Sequence, residues 1–198
     1  RHLEQQGSIF QTAMDSEIVI HLMARHLDRG LQEAIKTTFS CIQGAYSLLL
    51  MTQDTMIAVR DPNGFRPLCL GVLENGAHVV ASETCALDLI EAEYLREIEP
   101  GEVLIINEQG LTSLFPWAPA QKSFCIFEHV YFARPDSDVF GFNVYLARKR
   151  MGEILAREAR IEADFVMPFP DSGNYAAIGY AKASGIPLEM GMIRNHYV

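Results

Sequence analysis

Residues 124–137 read FCIFEHVYFARPDS, and how this stretch is taken decides how the chain divides. Phe124, Ile126, Phe127, Val130, Tyr131 and Phe132 crowd into a single run. That run is too continuous for a strand with one wet face, so it is expected to be covered on both sides. It stops at Arg134-Pro135-Asp136-Ser137, where Pro135 fixes its own φ and drives Arg134 out of helical space. Hairpins and short strands precede the run, and helix, strand, loop and helix follow it. It therefore reads as the joint between two domains of different architecture, residues 1–123 and 124–198.

Upstream, residues 12–27 carry a helix. Thr12 and Asp15 are spaced as in a capping box, and Ile18, Val19, Leu22, Met23 and Leu27 form an apolar face. Asp15 and Glu17 suit the positive end of the helix dipole. Asp15 is first of all a capping residue. Its functional alternative is a carboxylate that pairs with a ligand's ammonium group. A second helix follows Gly30, with Leu31, Ala34, Ile35, Thr38 and Phe39 on one side. From Gly44 the apolar period changes to two, with strands at 45–51, 56–59, 68–73, 78–81, 94–98, 103–106 and 111–115. Asn75-Gly76 marks a hairpin, residues 60–67 a constrained loop, and residues 84–91 a short helix. Two helices followed by short strands in hairpins predict an α+β domain of layered antiparallel sheets.

Downstream, residues 144–160 form an amphipathic helix with Val144, Ala147, Met151, Ile154 and Leu155 on its apolar face. Residues 165–169 read as a short buried strand, 174–184 as a small-residue helix closed by Gly185, and 186–190 as the next strand. This is the opening of a parallel α/β sheet. Between the first strand and the helix lie Asp171, Ser172, Gly173 and Asn174. A loop entering a helix presents unpaired N–H groups and the dipole's positive end, which suits phosphate or pyrophosphate. The Ser172 hydroxyl suits a hydrated Mg²⁺ carried by that phosphate. The same residue types also serve an ordinary turn and helix cap.

The net charge of −9 and pI near 5.1 exclude a nucleic-acid surface, which needs clustered Lys and Arg. No apolar run approaches the roughly 20 residues of a membrane span. Cys41, Cys69, Cys85 and Cys125 contain no C-x-x-C pair, so reduced thiols in a cytoplasmic protein are expected rather than a zinc site or disulfide scaffold. Cys125 among aromatics is most simply a small core hydrophobe. His21, His26, His78 and His129 show no metal-ligand spacing.

Five segments together carry a resemblance: RDPNGFRPL (60–68), ASETCALD (81–88), EPGEVL (99–104), CIFEHVYFARPDS (125–137) and the PDSG loop (170–173). They resemble the amidophosphoribosyltransferase family. RDPxGxRPL and ASE recur in other glutamine amidotransferases with an N-terminal nucleophile, whereas the 125–137 run is particular to this family. The resemblance implies a glutaminase domain of N-terminal-nucleophile hydrolase-like type, its later part at 1–123. It implies the first part of a type I phosphoribosyltransferase domain at 124–198. The implied reaction is the first committed step of purine nucleotide synthesis, in which glutamine, phosphoribosyl pyrophosphate and water give 5-phosphoribosylamine, glutamate and pyrophosphate.

Carried over residue by residue, Asp15 would bind the glutamine α-amino group. Ser172 would contact Mg²⁺ in the pyrophosphate loop shaped by Asp171, Gly173 and Asn174, and Tyr145 would line the ammonia route. Cys125 matches a ligand of a [4Fe–4S] cluster in some members, but a cluster needs four thiolates. The chain begins with Arg1, without the N-terminal cysteine that glutaminase chemistry needs. It also lacks the acidic pair and Gly/Thr-rich loop that hold the ribose 5-phosphate. No catalytic residue is therefore assigned, and the chain is expected to be part of a longer, homo-oligomeric enzyme and inactive alone. Arg194-Asn195-His196-Tyr197 departs from the family's more usual Lys-Asn-Arg-Tyr at Arg194 and His196. The alternatives are another amidotransferase, such as an asparagine or glucosamine-phosphate synthase, and a non-catalytic module keeping the scaffold.

Overall fold

A computed structural model of the chain describes residues 2–118, 120–195 and 197; His196 falls outside them. After a short helix α1 (His2–Gln5), helices α2 (Glu17–Ala24) and α3 (Leu31–Ser40) lead into seven strands. These are β1 (Ser47–Met51), β2 (Met56–Arg60), β3 (Cys69–Val72), β4 (His78–Ala81), β5 (Glu93–Glu97), β6 (Val103–Asn107) and β7 (Gly110–Leu114). Helix α4 (Thr84–Asp88) lies between β4 and β5. The strands form two wholly antiparallel sheets, ordered β1-β2-β6-β7 and β4-β3-β5. The layered antiparallel sheets expected from the period-two patterning are present.

Alternation along β2 and β6 shows how the layers stack. Ile57, Val59, Val103 and Ile105 face Val19, Met23, Ile35 and Phe39 of the two leading helices. The intervening Ala58 and Leu104 face the other way and meet Leu68, Leu70 and Ile98 of the second sheet. That sheet turns Cys69 outward, where it packs with Leu87 of α4 and Ala92. The order is helix, sheet, sheet, helix. Burying a side chain such as Leu70 or Leu104 in this interior stabilises the fold by about 1.5–3 kcal/mol. Asn75-Gly76 makes the expected hairpin: Leu73 N–H donates to the Ala77 carbonyl at 2.9 Å, and Gly76 takes φ +84°.

The 124–132 run departs from expectation. Residues Glu128–Phe132 form one π-helical turn, not a covered apolar segment. Phe127 is 56% exposed and Tyr131 62%, whereas Glu128 is 5% and His129 8%. The polar side chains go inward because each finds a partner there: Glu128 meets Arg66, and His129 Nε2 lies 3.1 Å from the Val139 carbonyl. A helical turn cannot place all its side chains on one face, so the apolar ones are left outside.

A two-stranded ribbon, β8 (Asp138–Val139) and β9 (Phe142–Asn143), precedes helices α5 (Val144–Glu158) and α6 (Asn174–Ser184). The Asn143 carboxamide caps α5 by accepting from Leu146 N–H at 3.2 Å. The buried stripe of α5 is Val144, Arg148, Gly152 and Ala156; it shares Val144 with the apolar face the sequence suggested, but Ile154 and Leu155 of that face are exposed. Small residues win because α6 crosses at backbone contact. A Cβ added at Gly152 would run into the Ala176 carbonyl, and one at Gly179 into the Lys149 carbonyl. Residues 165–169 and 186–190 meet at a single parallel bridge, Val166 to Leu188. Phe165 and Phe169 are exposed, so the first of these segments is not the buried strand expected. Among the described residues it has one partner and one rung.

Candidate functional site: two clefts on either side of Phe132

The RDPNGFRPL loop is built from its own first two residues. Asp61 accepts N–H bonds from Asn63 at 3.0 Å and Phe65 at 3.1 Å. Fully buried Arg60 donates to the carbonyls of Gly64, Arg66 and Ile98. Its guanidinium also lies over the rings of Phe124 and Phe140. The loop in turn holds the joint: Asn63 and Phe65 carbonyls accept from Ser123 and Cys125 N–H at 2.9 and 3.0 Å. The ASE motif does the same on the other side. One oxygen of Glu83 accepts from Arg134 N–H at 2.7 Å and the Ser137 hydroxyl at 2.8 Å, and Thr84 Oγ1 accepts from Asp138 N–H at 2.9 Å.

This arrangement leaves two clefts. The first, of about 790 Å³, is lined by Asp15, Tyr46, Arg66, Glu83, Glu128 and Phe132 among others. Asp15 stands on its rim, exposed, just before α2. Its carboxylate has no hydrogen bond or ion pair among the described residues. It is not the cap the spacing suggested. Glu17 takes that part, reaching back to Thr12 Oγ1 at 2.6 Å and to Gln11 and Thr12 N–H at 2.7 and 2.8 Å. Those bonds, the Thr12 hydroxyl foremost, hold its pKa down at about 2. Cys41 is the one thiol lining this cleft among the described residues. It sits at the C-terminal end of α3.

Three carboxylates and one guanidinium line this cleft. Arg66 Nη1 meets Glu128 Oε1 at 2.6 Å and stacks on the Phe132 ring, its Cζ 4.5 Å from the centroid. Burial pushes the Glu128 carboxyl up, Arg66 offsets this only in part, and the negative charge of Glu83 adds to it.

The second cleft, of about 780 Å³, has the opposite balance. Arg134, Arg148 and Arg194 line it with Asp171, Ser172, Tyr175 and Phe132. Ser172 stands just before α6, as expected. Gly173 is needed because a Cβ there would sit 2.7 Å from the Phe169 carbonyl. The loop amides are only partly free. Gly173 and Asn174 N–H already donate to Phe169 and Asp171 carbonyls, while those of Ser172, Tyr175 and Ala176 have no partner among the described residues. Arg148, 4% exposed, is fixed by donation to the His129 and Ala133 carbonyls at 2.6 and 2.8 Å, and desolvation lowers its pKa. Asp171 meets Arg194 at 3.4 Å on the surface.

Tyr145 packs edge-on against Tyr175, 5.4 Å between centroids, and is not among the residues lining either cleft. Cys125 lines a separate apolar cavity of about 300 Å³ with Phe124, Phe140 and Met151. Among the described residues no three His, Cys, Asp or Glu side chains gather as a ligand set. Cys125 alone offers one of the four thiolates that a [4Fe–4S] cluster needs. The Ser172 hydroxyl does fit a hydrated Mg²⁺, which keeps most of its waters and takes few protein oxygens. No helix among the described residues is long and apolar enough to cross a membrane.

Sequence reading missed Arg66, Glu83, Glu128, Phe132 and Arg148. A charged residue inside an aromatic run, as at Glu128, was the available signal. Such a group is buried only with a partner.

Known proteins match this chain along its whole length. The glutamine amidotransferase domain family matches residues 1–89. The amidophosphoribosyltransferase of Bacillus subtilis is 51% identical over all 198 residues of this chain, which cover 41% of that protein. The chloroplastic one of Glycine max is 53% identical over 97% of the chain and 34% of its own length. A solved structure of the B. subtilis glutamine phosphoribosylpyrophosphate amidotransferase, complexed with ADP and GMP, superposes with a TM-score of 0.94 at 50% identity. That match covers 99% of this chain and 43% of the other. The chain spans about two fifths of the length of the bacterial relative.

Proposed function

Along its whole length this chain is a homologue of the amidophosphoribosyltransferases, and on that premise we propose that it supplies the glutamine-holding and pyrophosphate-facing walls of such an enzyme. The reaction takes glutamine, phosphoribosyl pyrophosphate and water to 5-phosphoribosylamine, glutamate and pyrophosphate. Residues 1–123 belong to a glutaminase domain of N-terminal-nucleophile hydrolase-like type, and 124–198 open a phosphoribosyltransferase domain.

One observation carries this reading: an acidic cleft and a basic cleft stand back to back on one aromatic side chain. The unpaired Asp15 carboxylate receives the glutamine α-ammonium group. The Ser172 hydroxyl, the free amides entering α6 and the three arginines receive pyrophosphate oxygens, since a helix amino end and guanidinium groups both favour anions. The Ser172 hydroxyl would hold a hydrated Mg²⁺ carried with the pyrophosphate, which would neutralise part of its charge. Ammonia released at the first cleft has only the joint to cross. A route closed to water keeps it from protonating and escaping. Tyr145 stands behind Tyr175, at the edge of that route. The enzyme is a cytoplasmic homo-oligomer.

The test is a pair of assays, glutamate and pyrophosphate release, on a polypeptide containing this sequence together with an N-terminal cysteine nucleophile and a phosphoribosyl pyrophosphate loop. Both products in equal amounts are expected. Glutamate without pyrophosphate, in the presence of phosphoribosyl pyrophosphate, points instead to another glutamine amidotransferase.

A further inference from the structure

Among the described residues Phe132 is the one side chain that lines both clefts, and it is half exposed, so its place depends on whatever grips it. The residue doing so is Arg66, whose guanidinium lies over the ring with its Cζ 4.5 Å from the centroid. Glu128, one helical turn before Phe132, fixes that guanidinium at 2.6 Å. The carboxylate is itself buried, so it has little freedom to choose another position. Arg66 reaches the pair from the RDPNGFRPL loop, whose backbone is pinned by Arg60 and Asp61. The three side chains thus make one closed unit: loop to carboxylate, carboxylate to π turn, π turn to ring, and ring back to the guanidinium.

We propose that Arg66 and Glu128 act as a positioning pair that holds Phe132 as the partition between the Asp15 cleft and the Ser172 cleft. Neither residue touches a reacting atom. What crosses the partition rests on the proposed function, where it is ammonia. The pair itself does not depend on that reading. A planar guanidinium is needed for both contacts at once, so a lysine keeps the charge and loses the stack.

The first measurement is hydrogen exchange of the backbone amides of residues 128–133 in the 198-residue chain, for Arg66→Met, Glu128→Gln, the double variant and Arg66→Lys. Exchange about fivefold to tenfold faster is expected in each of the two first variants, as local opening loses a charge-assisted bond. The double variant is expected to exchange no faster than the faster single, and Arg66→Lys to fall between. Unchanged exchange, or a double variant showing the product of both effects, overturns the proposal whatever reaction the protein performs. The second measurement uses a polypeptide competent for turnover. In Arg66→Met and Glu128→Gln, glutamate is expected to exceed pyrophosphate by about twofold or more as ammonia escapes a loosened partition. A ratio held at one in both variants, beside faster exchange, overturns the partition role. A parent polypeptide that forms neither product overturns the proposed function, and exchange then decides this inference alone.

Discussion

The Ser137 hydroxyl donates to the Glu83 carboxylate at 2.8 Å, tying the end of the 124–137 run to a motif 54 residues earlier in the chain. The same carboxylate oxygen takes the Arg134 N–H. The ASE motif is thus a clamp on the joint. Glu83→Gln keeps the shape but removes the charge, and is expected to destabilise the fold by about 1.5–3 kcal/mol, the usual worth of bonds to a charged acceptor. Ser137→Ala should cost less, because Arg134 N–H remains. Denaturant unfolding of both variants checks the order, and a Glu83→Gln midpoint equal to that of the parent would contradict it.

Glu102 is a second buried carboxylate with a different outcome. Burial acts to raise its pKa, but bonds from Arg96, Ser113 Oγ and Glu99 N–H outweigh it and leave the carboxyl below the ordinary glutamate value. A group depressed in the folded state contributes stability that is complete above the unfolded glutamate pKa of about 4.3 and is lost as pH falls through the folded value. Glu102→Gln is expected to cost about 3 kcal/mol at neutral pH, the lower end for breaking a buried pair because Arg96 is partly exposed. The variant should also lose stability less steeply than the parent between pH 5 and acid unfolding. Thermal melts across that range measure both.

The crossing of α5 and α6 leaves no room for a methyl group. Gly152→Ala and Gly179→Ala are each expected to cost about 3 kcal/mol or more, since backbone atoms rather than flexible side-chain ends would have to move. Gly185→Ala makes a useful control. It meets nothing within 4 Å, but its φ of +78° still imposes a smaller cost, about 1 kcal/mol. Equal effects at all three positions would refute the steric argument.

The Asp15 carboxylate has no hydrogen bond or ion pair among the described residues, which leaves its charge open to a ligand. Asp15→Asn is expected to leave the melting temperature unchanged. In a turnover-competent polypeptide it should raise KM for glutamine about tenfold to a hundredfold, the loss of one charge-assisted bond. A drop in melting temperature with KM unmoved would return Asp15 to a structural role.

The layered half of the fold was legible because half-buried strands print their alternation directly: Ile57 and Val59 point one way, Ala58 and Leu104 the other. The position of Ser172 just before α6 was legible from the loop's residue types. The π turn was not, because an apolar run carries no record of which of its members go inside; Glu128 and His129 were drawn in by partners 62 and 10 residues away. The face of α5 was misread for a related reason. Hydrophobicity ranks Ile154 and Leu155 above Gly152, while the crossing with α6 rewards the residue with no side chain at all. Arg148 looked like a solvent residue, and only the carbonyls of His129 and Ala133 explain its burial.

Because α5 and α6 touch through their backbones at Gly152 and Gly179, they form a stiff bar. One end of that bar carries the Ser172 loop at the start of α6, and its flank grips the π turn through Arg148. A displacement at the Ser172 loop therefore has little to absorb it before it reaches the His129 and Ala133 carbonyls.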